Sequence, residues 1–353
     1  MKKRIAFLLA AAMLITSLAG CGGNNSSADT PAADGGNTTP AADNIPDTAP
    51  AEEPVVLRIG HSQGETGDWH LALLEFKKDL EERTNGGITV EIYPNETLGN
   101  ELDNITGVQQ GLCEGVLSGE ALSNWTDAAA LVSVPYAANS IEDLINIAGS
   151  DEVGGVIEQK IEEGAHLHAI GFLARSARNL TSNREIRSFD DVKGLKIRVP
   201  NNNLSVALWN AFGASATPMA WTEVFTSLQN GTLEAQENPY SSILSNNIQE
   251  VQKYLIKTEH TYSWIYVLLG EEVWNALSAD QQAAVEASAQ VMMDFQQQFL
   301  KDDIANQEAQ LAEQMTVIEI DKTPFIEAAK EVLKDQLSAE NYELYLKMVD
   351  MNQ

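Results

Sequence analysis

Two short β-rich runs of equal length, separated by a stretch with helical spacing, constrain this chain more than any other feature. They are Val55-Val56-Leu57-Arg58-Ile59-Gly60 and Ile88-Thr89-Val90-Glu91-Ile92-Tyr93. Between them Leu71, Leu74 and Phe76 to Leu80 recur at near-helical intervals, which reads as a βαβ unit and so as part of an α/β sheet. A third run, Gly194-Leu195-Lys196-Ile197-Arg198-Val199-Pro200, alternates apolar with charged residues. Leu195, Ile197 and Val199 are expected on one face, Lys196 and Arg198 on the other, and Pro200 should end the strand. The Asn201 to Asn203 stretch then suits the cap of a helix holding Trp209 and Phe212. Arg198 thus falls near the carboxyl end of a strand, where ligands of open α/β sheets bind.

The N-terminal residues are of another kind. Lys2, Lys3 and Arg4 precede an apolar run from Ile5 to Leu18, which ends at Leu18-Ala19-Gly20-Cys21. This is the layout of an export signal, and the run is too short for a spanning helix. A small-residue site ending on cysteine resembles the lipobox of bacterial lipoproteins. That likeness implies a signal peptide over residues 1–20, a lipid anchor on Cys21 and an extracytoplasmic protein held at the membrane by lipid alone. Residues 22–53 are Gly, Asn, Ser, Ala, Pro, Thr and Asp with few apolar side chains, so 21–53 reads as anchor and flexible tether. Loss of residues 1–20 removes three cations and no acid, which moves the formal charge from -29 to near -32. So acidic a chain excludes nucleic acid as a partner. Cys113 is the only other cysteine, which leaves no intramolecular disulfide and no cysteine metal cluster. The roughly 300 residues from Pro54 onward suffice for two lobes with separate cores.

Against this acidity, five of the eight arginines (Arg175, Arg178, Arg184, Arg187 and Arg198) occupy one 24-residue window. Guanidinium is the side chain best shaped to grip a carboxylate through two parallel hydrogen bonds, so the window points to an anion site. Arg184 and Arg187, which lead into the polar stretch from Ser188 to Lys193, are expected at the surface. Nothing favours an enzyme: there is no His-Glu-x-x-His, nucleophile elbow, P-loop or dinucleotide fingerprint. His166 and His168 alternate as on a strand edge, and Cys113, with no basic neighbour, is expected as a small buried side chain. No metal or cofactor is called for. From Glu271 to Thr323 no Gly or Pro interrupts the chain, and Ser278 with Gln281 forms a capping-box pattern. A long helix is expected, with Val285, Met292, Phe295 and Phe299 along its packing stripe.

Four segments in register carry a family resemblance. Asn179-Leu180-Thr181-Ser182-Asn183-Arg184, Gly194 to Pro200, Pro218-Met219-Ala220-Trp221-Thr222-Glu223-Val224-Phe225 and Gln236-Glu237-Asn238-Pro239 resemble the extracytoplasmic substrate-binding proteins of tripartite ATP-independent (TRAP) transporters. Weaker likeness through Tyr93-Pro94, Leu98-Gly99, Val134-Pro135-Tyr136 and Val251-Gln252-Lys253-Tyr254 extends it over nearly all of residues 55–300. The resemblance implies a two-lobe periplasmic-binding-protein-like α/β fold with a hinge cleft and a long helix spanning both lobes. The expected lobes are 54–175 with about 264–303, and 176–263 with about 304–353. It implies a protein that captures an organic acid, such as a hexuronate or a dicarboxylate, for TRAP membrane subunits. A ligand sensor that presents the bound acid to a receptor is the alternative.

The family's site maps residue by residue. Arg198 holds the place of the arginine that forms the main salt bridge to the substrate carboxylate. Arg178 has the spacing of a second arginine that adds to the grip, Asn238 that of the asparagine completing the carboxylate site, and Trp221 that of an aromatic packing on the ligand. Arg175 departs from the family pattern. It competes with Arg178, serves a second acidic group, or is an exposed charge. On the opposite lobe Ser62, His61, Glu101, Ser118 and Glu120 are candidates. The acids there, with Asn201 to Asn203, favour a hydroxylated ligand and discourage a second carboxylate, whereas a free Arg175 would welcome one.

Overall fold

The computed structural model describes residues 54–352; the expected signal peptide, Cys21 and the whole of the tether lie outside them. The chain runs β1 (Val55–Gly60), α1 (Asp68–Arg83), β2 (Ile88–Tyr93), α2 (Glu101–Gln109), β3 (Gly115–Ser118), α3 (Ile141–Ala148) and α4 (Gly154–Ala165). There follow β4 (Leu167–Ser182), β5 (Lys196–Val199), α5 (Asn203–Ala211), β6 (Ser215–Pro218), α6 (Val224–Gln229), β7 (Ala235–Asn238) and α7 (Tyr240–Ser245). It closes with β8 (Tyr254–Gly270), α8 (Glu271–Ala276), α9 (Ala279–Ala312), β9 (Thr316–Glu319), α10 (Thr323–Gln336) and α11 (Ala339–Asp350).

The βαβ unit is present: β1 and β2 pair in parallel from Val55 with Ile88 to Gly60 with Tyr93. Its helix turns a different stripe inward from the one expected. Trp69, Ala72, Leu73, Phe76 and Leu80 are buried, while Leu74 is exposed. Starting the helix at Asp68 lets Trp69 lead the stripe, and the later positions follow at helical spacing.

All nine strands belong to one sheet of order β2-β1-β3-β8-β4-β7-β5-β6, with β9 beside β8. Two long antiparallel strands, β4 and β8, hold it together. The β1–β3 group joins through the C-terminal half of β8, from Tyr266 to Leu269. β7 joins through the C-terminal end of β4, from Asn179 to Ser182, and β9 through the start of β8. The two lobes are these two half-sheets, and pairing of β4 with β8 loses register between them, at Arg175/Arg178 and Arg178/Leu180. Separate cores flank each half. One gathers Leu57, Phe76 and Val267 under α1; another packs Ile197, Trp209 and Phe325 in the second half.

The 34-residue helix α9 packs on α1 of one lobe and α7 of the other. Its capping box forms as expected, but Ser278 also ends the helical run before it, so 271–323 holds α8, α9 and a strand rather than one helix. Its inward column passes through Val285, Met292, Gln296 and Leu300, leaving Phe295 and Phe299 half-buried. A polar partner explains this turn of the helix. The Gln296 amide accepts from Ala174 N at 3.1 Å and donates to Ala174 O and Asp68 Oδ2, both at 2.7 Å, so it satisfies backbone groups of β4 at a residue that faces β8 on one side and that β7 does not reach on the other.

Candidate functional site

The carboxyl ends of β1, β3, β5 and β7 converge on the cleft between the half-sheets. Each delivers part of one cavity, lined by Ser62, Glu120, Arg198 and Asn238 together with Glu101, Arg175, Arg178, Trp221 and others. Strand β5 ends before Pro200 as expected, and Asn202 caps α5 by accepting from Ser205 N at 2.8 Å. This start of α5 fixes where Arg198 emerges. Leu195, Ile197 and Val199 are wholly buried beneath it.

A stretch of strand presents alternate residues to one face, so Arg175 and Arg178, three apart, would ordinarily face opposite ways. The loss of register between them turns both into the same cavity. Arg175 is therefore no exposed charge, being only 6% accessible and lying over the Trp69 ring at 5.4 Å.

Three buried guanidinium groups now share a few ångströms of cleft, and their partners distinguish them. Arg175 Nη1 donates to Glu120 Oε2 at 2.9 Å and Oε1 at 3.3 Å. Arg178 grips Glu237 through both carboxylate oxygens and its carbonyl, and Glu237 in turn meets His260 Nε2 at 3.0 Å. Burial works against ionising these acids, but the facing arginines outweigh it: Glu120 is held below the ordinary carboxylate range, and Glu237 is driven down to about 2. Arg198 has no such partner among the described residues. Its Nε and Nη2 donate to the Met219 carbonyl at 2.9 and 2.7 Å, and its guanidinium lies 5.2 Å from the Trp221 ring centroid. Burial lowers its pKa to about 10, because the cleft acids, Glu237 first among them, offset only part of the lost solvation and the Arg178 charge adds to it.

The rest of the wall is polar acceptor and apolar surface. Glu101, at the first turn of α2, accepts from Ser118 Oγ at 2.7 Å, and burial with the Glu120 charge nearby raises its pKa to about 7. Asn238 Nδ2 donates to Gln236 Oε1 at 2.7 Å, and Gln236 is braced on Thr181. Trp69, Ile265, Pro200 and Trp221 supply apolar area. Such a set can hold a carboxylate on Arg198 and Asn238, take hydroxyl groups on Glu101, Glu120 and Ser62, and exclude water with indole. The cavity is tight, about 40 Å³, room for a few water molecules and far below the roughly 300–1,000 Å³ of small-molecule pockets. The half-sheets therefore have to part to admit a ligand. A larger cavity of about 560 Å³ lies across β4 and β8 from Ser176 to Tyr262. Its acids Glu142, Glu259 and Glu308 already face Lys301, Lys322 and Lys257, so it offers no cation to an anion.

Of the candidates named from sequence, eight meet in the cleft. Ser118 stands behind Glu101. His61 does not line the cavity: it is buried against His70, with Nε2 3.1 Å from His70 Nδ1, and burial next to that ring lowers its pKa to about 3. Alternation accounts for it, since Ser62 turns toward the cleft and His61 away. Gln63, Trp69, Ser242 and Ile265 were not expected there. The carboxamide of Gln63 donates to Asp68 Oδ1 at 3.1 Å and accepts from Trp69 N at 3.1 Å, which sets the indole beneath Arg175. The other histidines play structural parts. His166 is not on the strand edge but ends α4 in a left-handed conformation, while His168 in β4 stacks on Trp274 at 4.1 Å. Cys113 is buried, Arg184 half-buried and Arg187 exposed. Among the described residues no helix is long and apolar enough to cross a membrane.

Known proteins share this architecture. The family model for bacterial extracellular solute-binding proteins, family 7 (DctP), matches residues 59–340. The solute-binding protein RD1_1052 of Roseobacter denitrificans is 45% identical over 287 residues, covering 81% of this chain and 88% of its own. The 2,3-diketo-L-gulonate-binding periplasmic protein YiaO of Escherichia coli is 31% identical over 253 residues, covering 70% of this chain and 75% of its own. A crystal structure of a TRAP periplasmic solute binding protein from Roseobacter denitrificans with bound L-galactonate superposes with a TM-score of 0.81 at 43% identity, over 84% of this chain and 99% of that one. This chain belongs to family 7 of the bacterial extracellular solute-binding proteins and is a TRAP-type solute-binding protein.

Proposed function

We propose that this protein captures a sugar acid carrying one carboxylate, and hands it unchanged to the membrane subunits of a TRAP transporter. The observation behind this reading is the charge pairing in the cleft. Arg175 faces Glu120 and Arg178 faces Glu237, which leaves Arg198 as the cation without an anion. One uncompensated cation suits one carboxylate, and the acids opposite suit hydroxyl groups and repel a second charge. The relatives' ligands, L-galactonate and 2,3-diketo-L-gulonate, are six-carbon acids with a single carboxylate.

Site roles follow from this. Arg198 makes the salt bridge, Asn238 and the spare Arg178 Nη1 add donors, and Trp221 covers the pair. Glu101, Glu120 and Ser62 receive hydroxyl groups, with Ser118 orienting Glu101. The lobes are taken as 54–175 with about 264–303 and 176–263 with about 304–353, a division that the loss of register after Arg175 supports in β4, while Leu344, Tyr345 and Met348 of α11 pack in the core of the first lobe and move that C-terminal helix to it. The export signal and the lipid on Cys21 complete the proposal, and mass spectrometry of the N-terminal peptide from cells tests them. The ligand itself is tested by calorimetric titration at neutral pH with L-galactonate, the matching six-carbon diacid and galactose. Binding of the monoacid at least a hundred times tighter than either comparison compound is expected. Equal binding of the neutral sugar would end the reading.

A further inference from the structure

We propose that Glu96 is the latch of the closed cleft, a positioning residue whose carboxylate ties one edge of the sheet to the other. Glu96 follows β2, which ends the sheet on one side, whereas Thr222 follows β6, which ends it on the other. Seven strand-to-strand steps of about 4.8 Å would put those edges roughly 34 Å apart in a flat sheet. Glu96 Oε2 nonetheless accepts from Thr222 N at 3.0 Å, while Oε1 accepts from Glu101 N at 3.3 Å, at the start of α2. The bond exists only because the half-sheets are folded together at the break in β4 and β8, and it must break when they part. Asn124 Nδ2 to Asn201 O at 2.9 Å and Gln63 Nε2 to Ser242 Oγ at 3.5 Å also cross the cleft as neutral pairs, and Arg178 Nη1 stands 3.8 Å from Glu120 Oε1 across it, beyond hydrogen-bond reach.

The backbone at Glu96 is built for this reach. Asn95 and Glu96 are consecutive left-handed residues, with φ of 55° and 56°. Such conformations persist in L residues where neighbours over-determine them. Here Asn95 N donates to Gln63 O at 3.0 Å and Glu96 N to His61 O at 2.9 Å, both on the strand end that carries Ser62. On the far side the captured N–H belongs to the residue after Trp221, the ring that covers Arg198. The latch therefore seats the aromatic wall over the carboxylate clamp as the cleft closes. The bond holds the ligand-free cleft shut as well, so it has to break before a ligand enters and again before it leaves, and Glu96 slows both capture and release.

The ligand arm of the test rests on the proposed sugar-acid reading. Stopped-flow tryptophan fluorescence with L-galactonate on the full chain should show release about ten-fold faster in Glu96→Gly, with association no slower than in the wild type. Glu96→Gln, which keeps one acceptor without the charge, should fall between. Glycine is at ease at positive φ, so Glu96→Gly should unfold no earlier than the wild type without ligand; a merely structural role would lower its melting temperature. Spin labels on exposed Glu91→Cys and Ser215→Cys, in the full chain with Cys21→Ser, should give longer distances in Glu96→Gly than in its parent without ligand. Unchanged release in both variants, slower association with unchanged release, or unchanged distances would each overturn the latch. If the parent does not bind L-galactonate, the sugar-acid reading fails while the distance measurement still decides the latch.

Discussion

Replacing Arg198 by methionine should have effects of opposite sign on stability and on binding. In the ligand-free protein this guanidinium is buried with a carbonyl, an indole face and no anion. Its drop to about 10 corresponds to roughly 3 kcal/mol of cost for holding the charge. The sign follows from linkage. The folded-state pKa lies below the unfolded one, so the cost is fully present at neutral pH and is relieved only as pH rises through about 10. Methionine removes that cost and keeps most of the apolar stem, while stranding the Met219 carbonyl at about 1–2 kcal/mol and losing a cation–π contact of about 0.5–1 kcal/mol. The net change is near zero or stabilising by about 1 kcal/mol, so the melting temperature without ligand should hold or rise by about 2 °C. With ligand the outcome inverts. Saturating L-galactonate, at about a thousand times the wild-type dissociation constant, should stabilise the wild type by about 4 kcal/mol and the variant by no more than about 1.4 kcal/mol. Truncating one side of a buried charge pair costs about 3–5 kcal/mol, a loss of affinity of about two to nearly four orders of magnitude. Differential scanning fluorimetry with and without ligand reads both. A variant that melts 5 °C lower without ligand, or binds within ten-fold of the wild type, would refute the assignment of Arg198 as the unpaired clamp.

Glu101 is raised to about 7, so folding favours its protonated form and ligand-free stability should fall as pH climbs from about 4.5 to 7; Glu158, which burial also raises to about 7, adds to that slope, and Glu101→Gln should reduce it in a pH series of melting curves. The same variant should narrow the preference for the monoacid over the six-carbon diacid, which competition titration would detect. The chain's charge of -29 repels an incoming anion at long range, so association of L-galactonate should quicken between about 10 and 150 mM salt in stopped-flow traces; slowing would contradict the field picture. Gln296→Leu leaves Ala174 and Asp68 short of their partners in a fully buried position, and should cost about 3 kcal/mol or more, a melting point at least about 6 °C lower.

Local patterns in the chain determined much of this protein. β-rich runs set β1 and β2, alternation set β5, Pro200 ended a strand, Asn202 and Ser278 capped helices, and the four motif segments named Arg198, Asn238 and Trp221. These depend on residues within a turn or a strand of one another, which is why they are legible in order along the chain. Helix faces were less so: Leu74 was expected inside and lies outside, because the inward stripe depends on where α1 begins and on the sheet it meets. Gln63, Trp69, Ser242 and Ile265 reach the cleft from separate elements and carry no local signal. Most of all, tertiary structure decided which arginine is free. Arg175 and Arg178 face the same way only because β4 slips against β8, and they are neutralised only because β3 and β7 deliver Glu120 and Glu237 to them. Pairing of charges is a property of distances between strands far apart in sequence. Five clustered arginines could announce an anion site, and only the packed sheet could leave Arg198 as the cleft arginine without a carboxylate at hydrogen-bond distance.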